Sequence, residues 1–160
     1  DLGLYGTYDL WGSRNQMRQY IKAGNISNEL TAALYRKAKI GLNLHRTSVG
    51  YGRNVKHIEG AESLNPRCYE LAATGTFFVT DARAEVKEVF GDVVPTFKAP
   101  DELGEIIRYY LAHDAERRAI ADRLPGLVSG CTFDDRIKTV LEVLNDASHS
   151  DANSHDHPTR

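Results

Sequence analysis

No apolar run in the chain approaches the roughly 20 residues that a membrane-spanning helix requires, and the N-terminus lacks the charged-then-apolar pattern of a signal peptide. An excess of one charge is lacking too. Lys and Arg number 20 against 22 Asp and Glu, for a formal net charge of −2. The basic residues are scattered rather than gathered into the footprint that binds a phosphate backbone, which sets nucleic acid aside as a partner. Cysteine is scarce. Cys68 falls in a helical pattern and Cys131 in a turn, so the pair fits neither a disulfide framework nor metal-ligand spacing, and reduced thiols in a cytoplasmic protein are the expectation. The chain also has no Met at its first position: Asp1 leads directly into a strand-like Leu2-Gly3-Leu4-Tyr5-Gly6, the pattern of a chain truncated at its N-terminus within a larger reading frame.

What is present is ordinary globular material, 41% hydrophobic and 26% charged over 160 residues, enough for one core. Residues 1–146 read as one domain. Residues 147–160 hold Ser, Asp, Asn and His with almost no apolar side chain, and are expected to form a disordered polar tail because they cannot offset the entropy of ordering. His149, His155 and His157 lie there without a carboxylate or Cys scaffold, so no metal site and no cofactor are expected.

Within the domain, apolar periodicity switches repeatedly between strand-like and helix-like. That is the pattern of an α/β fold, a three-layer Rossmann-like domain with a mainly parallel sheet. After the first strand come a loop over residues 11–20 and a poorly marked strand or turn over 21–26. Ser27 or Asn28 can cap a helix whose stripe is Leu30, Ala33, Leu34 and Ala38. A strand over 40–44 precedes a long loop, 45–64, of the kind that is functional or mobile in compact domains. Asn65 as N-cap and Pro66 at the first helical position open a helix that closes at Gly75. A buried strand over 77–80, a short helix over 84–90 and a strand over 93–97 follow, and the remainder is helical. Asp114 and Thr132 are the expected N-caps there, Thr132 in a capping box with Asp135. The apolar stripes of these last helices are expected to pack.

The strand ending at Leu44, the loop and the Pro66 helix place a helix N-terminus at the carboxyl edge of a parallel sheet, where ligands bind in open α/β folds. The free amides and dipole of that helix end suit a phosphate. Arg67 in its first turn is unfavourable by roughly 0.3–1 kcal/mol unless an anion is nearby, and a diphosphate would reverse that penalty; pairing with Glu70 is the structural alternative. Glu70, one turn in, tilts back toward the helix start, where it can accept from a ribose diol, and Glu62 in the loop can meet a sugar. His45 and Arg46, ending a strand at the ligand edge, suit phosphate or sugar contact, with a loop-anchoring hydrogen bond as the alternative. Asp81, after a strand, suits a cap on the following helix.

The run from Glu62 through Asn65-Pro66-Arg67, Tyr69-Glu70-Leu71-Ala72-Ala73-Thr74-Gly75 to Asp81 resembles the Glu-x7-Glu block of two-domain (GT-B) glycosyltransferases. It is closest to the spore-maturation-type branch of the glycosyl transferases group 1. Gly6, Gly24-Asn25-Ile26, residues 34–46, Phe90-Gly91 and Asp101-Glu102-Leu103 extend the resemblance over about residues 2–144. It implies the C-terminal, donor-binding half of a GT-B fold, binding a nucleotide-diphosphate sugar for transfer to an acceptor. Gly24, Asn25 and Ile26 would meet the base, Glu70 the ribose, and Glu62, Ser63, Leu64, Asn65, Arg67, His45 and Arg46 the sugar and phosphates. The acceptor domain would precede Asp1 in the same chain, so the 160 residues alone would not turn over. Leu64-Asn65-Pro66 stands where the wider family often has Gly-Phe-Gly, and Thr76 stands where it has Pro. Two alternatives remain open: an inactive relative serving as a carbohydrate- or protein-binding module, and a phospho-receiver-like module built on Asp81 and Lys98. The second needs an acidic pair at the end of the first strand, which Leu2-Gly3-Leu4-Tyr5-Gly6 does not supply.

Overall fold

The computed structural model describes residues 3–5, 19–46, 48–49, 56–58 and 60–153. Gly6, most of the loop over residues 11–20, and His155 and His157 lie outside them.

Strands β1 (Leu4–Tyr5) and β2 (Ile21–Ala23) form a parallel pair. Helix α1 (Asn28–Lys37) starts on Ser27, whose Oγ accepts from the Leu30 N–H at 3.2 Å; Glu29 in its first turn and Arg36 and Lys37 in its last complement the helix dipole. Strand β3 (Gly41–Asn43) follows. The long loop is not structureless: β4 (Ser48–Val49) and β5 (Lys56–His57) pair antiparallel within it. Helix α2 (Pro66–Ala73) has the expected boundaries, because Asn65 Oδ1 accepts from the Cys68 N–H at 3.3 Å, Pro66 fills a position that needs no donor, and Gly75 turns the chain out at φ 66°. Strand β6 (Phe78–Asp81), helix α3 (Ala84–Phe90), strand β7 (Thr96–Phe97) and helices α4 (Pro100–Ala112), α5 (Asp114–Leu127) and α6 (Phe133–Asn153) complete the order.

Strands β3, β6 and β7 form one parallel sheet with β6 in the middle. The alternation of side chains along the central strand builds the layers. Phe78 packs with Cys68, Leu71 and Ala72 of α2, Val86 and Phe90 of α3, and Leu124 of α5. Phe77 and Val79 point the other way, to Phe97 and to Leu103, Ile106 and Tyr110 of α4. The three-layer α/β arrangement expected from the sequence is therefore present. Gly41 lets α2 lie close against β3: a Cβ there would stand 2.7 Å from Leu71 Cδ2 and 3.2 Å from Phe78 Cβ.

Some local expectations are corrected. The strand over 93–97 shortens to two residues, since Val94 buries itself from the turn before β7. Asp114 is the first helical residue of α5 and not its cap; it binds Arg117 and Arg118 instead. The Thr132–Asp135 capping box is present, with the Asp135 N–H donating to Thr132 Oγ1 at 3.2 Å and the Thr132 N–H to Asp135 Oδ2 at 3.1 Å. The α6 stripe does not pack within the described residues: Phe133 is 83% exposed, and Ile137, Val140, Leu141 and Leu144 are each more than half exposed. The α6 backbone also stays helical to Asn153, into the stretch assigned to the tail, because adding residues to an existing helix needs no new nucleus.

Candidate functional site

The carboxyl ends of β3 and β6 lie side by side, and the N-terminus of α2 comes down beside them. Asn43 is fully buried at the end of β3. Its Nδ2 donates to Cys68 Sγ at 3.0 Å and to Thr80 Oγ1 at 3.2 Å, and its Oδ1 accepts from Asn65 Nδ2 at 3.0 Å and from Arg67 Nη1 at 3.5 Å. Burial pushes the Cys68 thiol up to about 11, against hydrogen bonds from Thr80 and Asn43 that lower it, so this cysteine is an uncharged core group and a poor nucleophile.

His45 leaves β3 with its side chain 5% exposed and both ring nitrogens engaged. The Asn65 N–H donates to Nε2 at 3.2 Å, which makes Nε2 the acceptor and places the proton on Nδ1, 2.7 Å from Asp81 Oδ1. The same Asp81 oxygen accepts from the His45 backbone N–H at 2.9 Å, while Arg83 Nε donates to Asp81 Oδ2 at 3.0 Å. Burial works to raise the Asp81 pKa, but these hydrogen bonds outweigh it and hold the carboxyl below its ordinary value. Asp81 is thus the anchor of His45 and Arg83 and not the cap of α3, whose N-cap position is Arg83 and carries no side-chain cap bond. Both its oxygens being occupied, it also lacks the free carboxylate a phospho-receiver needs.

The segment before α2 is tied to α3 by reciprocal bonds. Glu62 Oε2 accepts from the Ala84 N–H at 2.7 Å, in the position of a cap, and Glu62 O accepts from the Glu85 N–H at 3.3 Å. In return Glu85 Oε2 accepts from the Leu64 N–H at 2.6 Å and Oε1 from the Tyr69 hydroxyl at 2.9 Å. Burial, then this bond to Glu85, push the Tyr69 phenol up to about 12. Arg83 also donates to the Ala61 carbonyl.

Arg67 and Glu70 occupy one side of α2, facing Tyr35 of α1. Burial raises the Tyr35 pKa; the Arg67 guanidinium beside it lowers it, and Glu70 raises it. No ion pair joins Arg67 to Glu70 among the described residues. The first turn of α2 carries no acid, whereas α1, α3, α4, α5 and α6 open with Glu29, Glu85, Asp101, Asp114 and Asp134 respectively. The positive end of this dipole and the guanidinium therefore reinforce one another.

The structure thus brings His45, Asn65 and Arg67 together beside Asn43, with Leu64 next to them, Glu70 sharing Tyr35 with Arg67, and Glu62 and Ser63 on the exposed segment leading in. Arg46 is exposed next to His45. Gly24, Asn25 and Ile26 lie in the segment between β2 and α1, before the start of the helix that carries Tyr35 near its other end. Asn43, Arg83 and Glu85 are outside the set the sequence assigns to the site. A polar residue between Leu42 and Leu44 in a short strand is the one local signal for Asn43; nothing local marks the other two. Among the described residues no group of three or more His, Cys, Asp or Glu is placed to hold a metal ion, and no helix is long and apolar enough to cross a membrane.

Comparison with curated proteins and with solved structures gives no match. A family model described as glycosyl transferase-like matches residues 2–142, a span that includes every residue of the arrangement around α2. With most of its length matched, and its α2 block set at the carboxyl edge of a parallel sheet, the chain belongs to the glycosyl transferase-like family.

Proposed function

We propose that this chain is a donor-binding domain that holds a nucleotide-diphosphate sugar for transfer to an acceptor bound by another domain of the same protein, in the cytoplasm. One observation carries the reading. The first turn of α2 presents a cation where the other helices present acids, and its guanidinium is held by a neutral amide with no carboxylate ion pair. An anion completes that arrangement, and the exposure of Pro66 and Arg67 leaves room for it. Arg67 faces the diphosphate, Glu70 the ribose diol, and Gly24, Asn25 and Ile26 the base. The Leu64 and Asn65 amides are engaged within the chain, so sugar contact from that segment falls to Ser63 and the outward side of Glu62. In transfer, the bond from the anomeric carbon to the diphosphate breaks with its electron pair going to the diphosphate, while the acceptor hydroxyl oxygen bonds the carbon and gives its proton to the departing diphosphate or to water. Helix amides and Arg67 supply positive charge without a metal, so a chelator leaves binding unchanged.

Calorimetric titration with nucleosides and their diphosphates tests this. Glu70→Ala removes a charged acceptor worth about 1.5–3 kcal/mol and weakens nucleoside and diphosphate alike, roughly ten- to hundred-fold. Arg67→Ala weakens the diphosphate far more than the nucleoside. Unchanged affinities in both variants overturn the donor-site reading, and sugar transfer by the purified 160-residue chain alone overturns its two-domain part.

A further inference from the structure

Asn43 has every hydrogen-bonding position of its side chain filled while lying wholly out of solvent. An amide offers two donors and one oxygen with two acceptor sites, so the set is complete and fixes which way the group faces. The reverse flip would set its NH2 against the Asn65 NH2 and the Arg67 guanidinium, donors against donors. The donor half is thereby anchored in the core, on Cys68 and Thr80, and the acceptor half is aimed at the first turn of α2. There it meets both the N-cap side chain that starts the helix and the cation that the helix presents.

The 3.5 Å contact to Arg67 Nη1 is long for a hydrogen bond and restrains direction more than it adds strength. Its chemical character matters more than its strength. A carboxylate in this place would hold the guanidinium more tightly but would neutralise it. An apolar side chain would remove this restraint and leave the guanidinium beside Tyr35 alone, with more of its ordering to be done each time an anion bound. We propose that Asn43 is a positioning residue for anion binding, fixing the Arg67 guanidinium at the α2 N-terminus with its charge uncompensated. The proposal rests on the reading of Arg67 as a ligand of the diphosphate.

The test uses the full 160-residue chain and calorimetric titration with ADP, UDP, GDP and dTDP and the matching nucleosides. The readout is the preference for diphosphate over nucleoside. Asn43→Asp is isosteric, keeps an acceptor for Asn65 and Arg67, and sets a carboxylate against the guanidinium. It is expected to lower the preference about tenfold or more while nucleoside affinity stays within about twofold. In an Arg67→Ala background the same change is expected to lower it no further, an outcome that a role confined to core packing would not produce. Asn43→Ser, which loses the reach to Arg67 without adding charge, is expected to give a smaller loss of preference and serves if the Asp variant does not fold, as circular dichroism would show. Should Arg67→Ala leave the preference intact, the reading of Arg67 fails and this proposal with it. Should Arg67→Ala abolish the preference while folded Asn43 variants retain it, the proposal alone is overturned and the donor-site reading stands.

Discussion

Asp81 accepts hydrogen bonds on both carboxylate oxygens, from the backbone and ring of His45 and from Arg83, and so fixes two chain segments that arrive from opposite sides. Its pKa is lowered in the folded chain, which makes the carboxylate a stabilising group with a definite pH window. The contribution is fully present above the ordinary carboxylate value of about 3.9, and is lost as pH falls through the lowered value. Asp81→Asn should therefore melt below the wild type at neutral pH, with the gap narrowing as the solution is taken below about pH 4. A gap independent of pH over that range would mean that the charge of Asp81 adds nothing to its role. His45 is the more exposed to the consequences. With only a neutral acceptor at Nδ1, the imidazole is held less firmly in the orientation in which Nε2 accepts the Asn65 N–H, so the same substitution should also loosen the start of α2.

Helix α2 lies close against β3, and Gly41 is the reason it can. A methyl group added there would press into Leu71 and Phe78, both buried, so Gly41→Ala should destabilise the fold by about 1–3 kcal/mol, measured by urea unfolding. A neutral effect would show that Leu71 moves aside freely. Helix α2 itself was legible from its sequence because everything that delimits it is local: Asn65, Pro66 and Gly75 act on their own turns. Caps at Ser27 and Thr132 were legible for the same reason. What surrounds α2 was not. Glu85 reaches Leu64 across 21 positions and Asp81 reaches His45 across 36, and no periodicity encodes such contacts. Strand β3 shows the limit within a single element, because it buries Gly41 and Asn43 while Leu42 is 38% exposed at the edge of its sheet, the inverse of what apolar alternation suggests. The sequence thus marked the helix and the residues around its start, and the long-range contacts of Asn43, Asp81 and Glu85 that hold this region were passed over.

At the scale of the whole molecule, stability should be distributed as unevenly as burial. Strand β6 is the centre of the three-stranded sheet and, with Phe77 just before it, contributes Phe78, Val79 and Thr80 to an interior nearly closed to solvent on both faces. Its amides can exchange with solvent only when the sheet separates from α2 on one side or α4 on the other, which amounts to global unfolding. Helix α6 is the opposite case. Its apolar stripe, Phe133, Ile137, Val140, Leu141 and Leu144, is more than half exposed, so among the described side chains the Thr132–Asp135 box fixes its start while the stripe buries little area. Hydrogen exchange followed by mass spectrometry should then find β6 the slowest segment, protected to the full unfolding free energy. Amides of α6 beyond Val140 should exchange by local fraying, orders of magnitude faster and with little response to denaturant. Truncating Ile137 or Leu144 to Ala should accordingly change the melting temperature far less than Phe78→Ala, whose loss from a packed core costs about 3–5 kcal/mol. If α6 instead exchanges as slowly as β6, its apolar face is covered in solution, and the stripe belongs to the stability of the folded molecule after all.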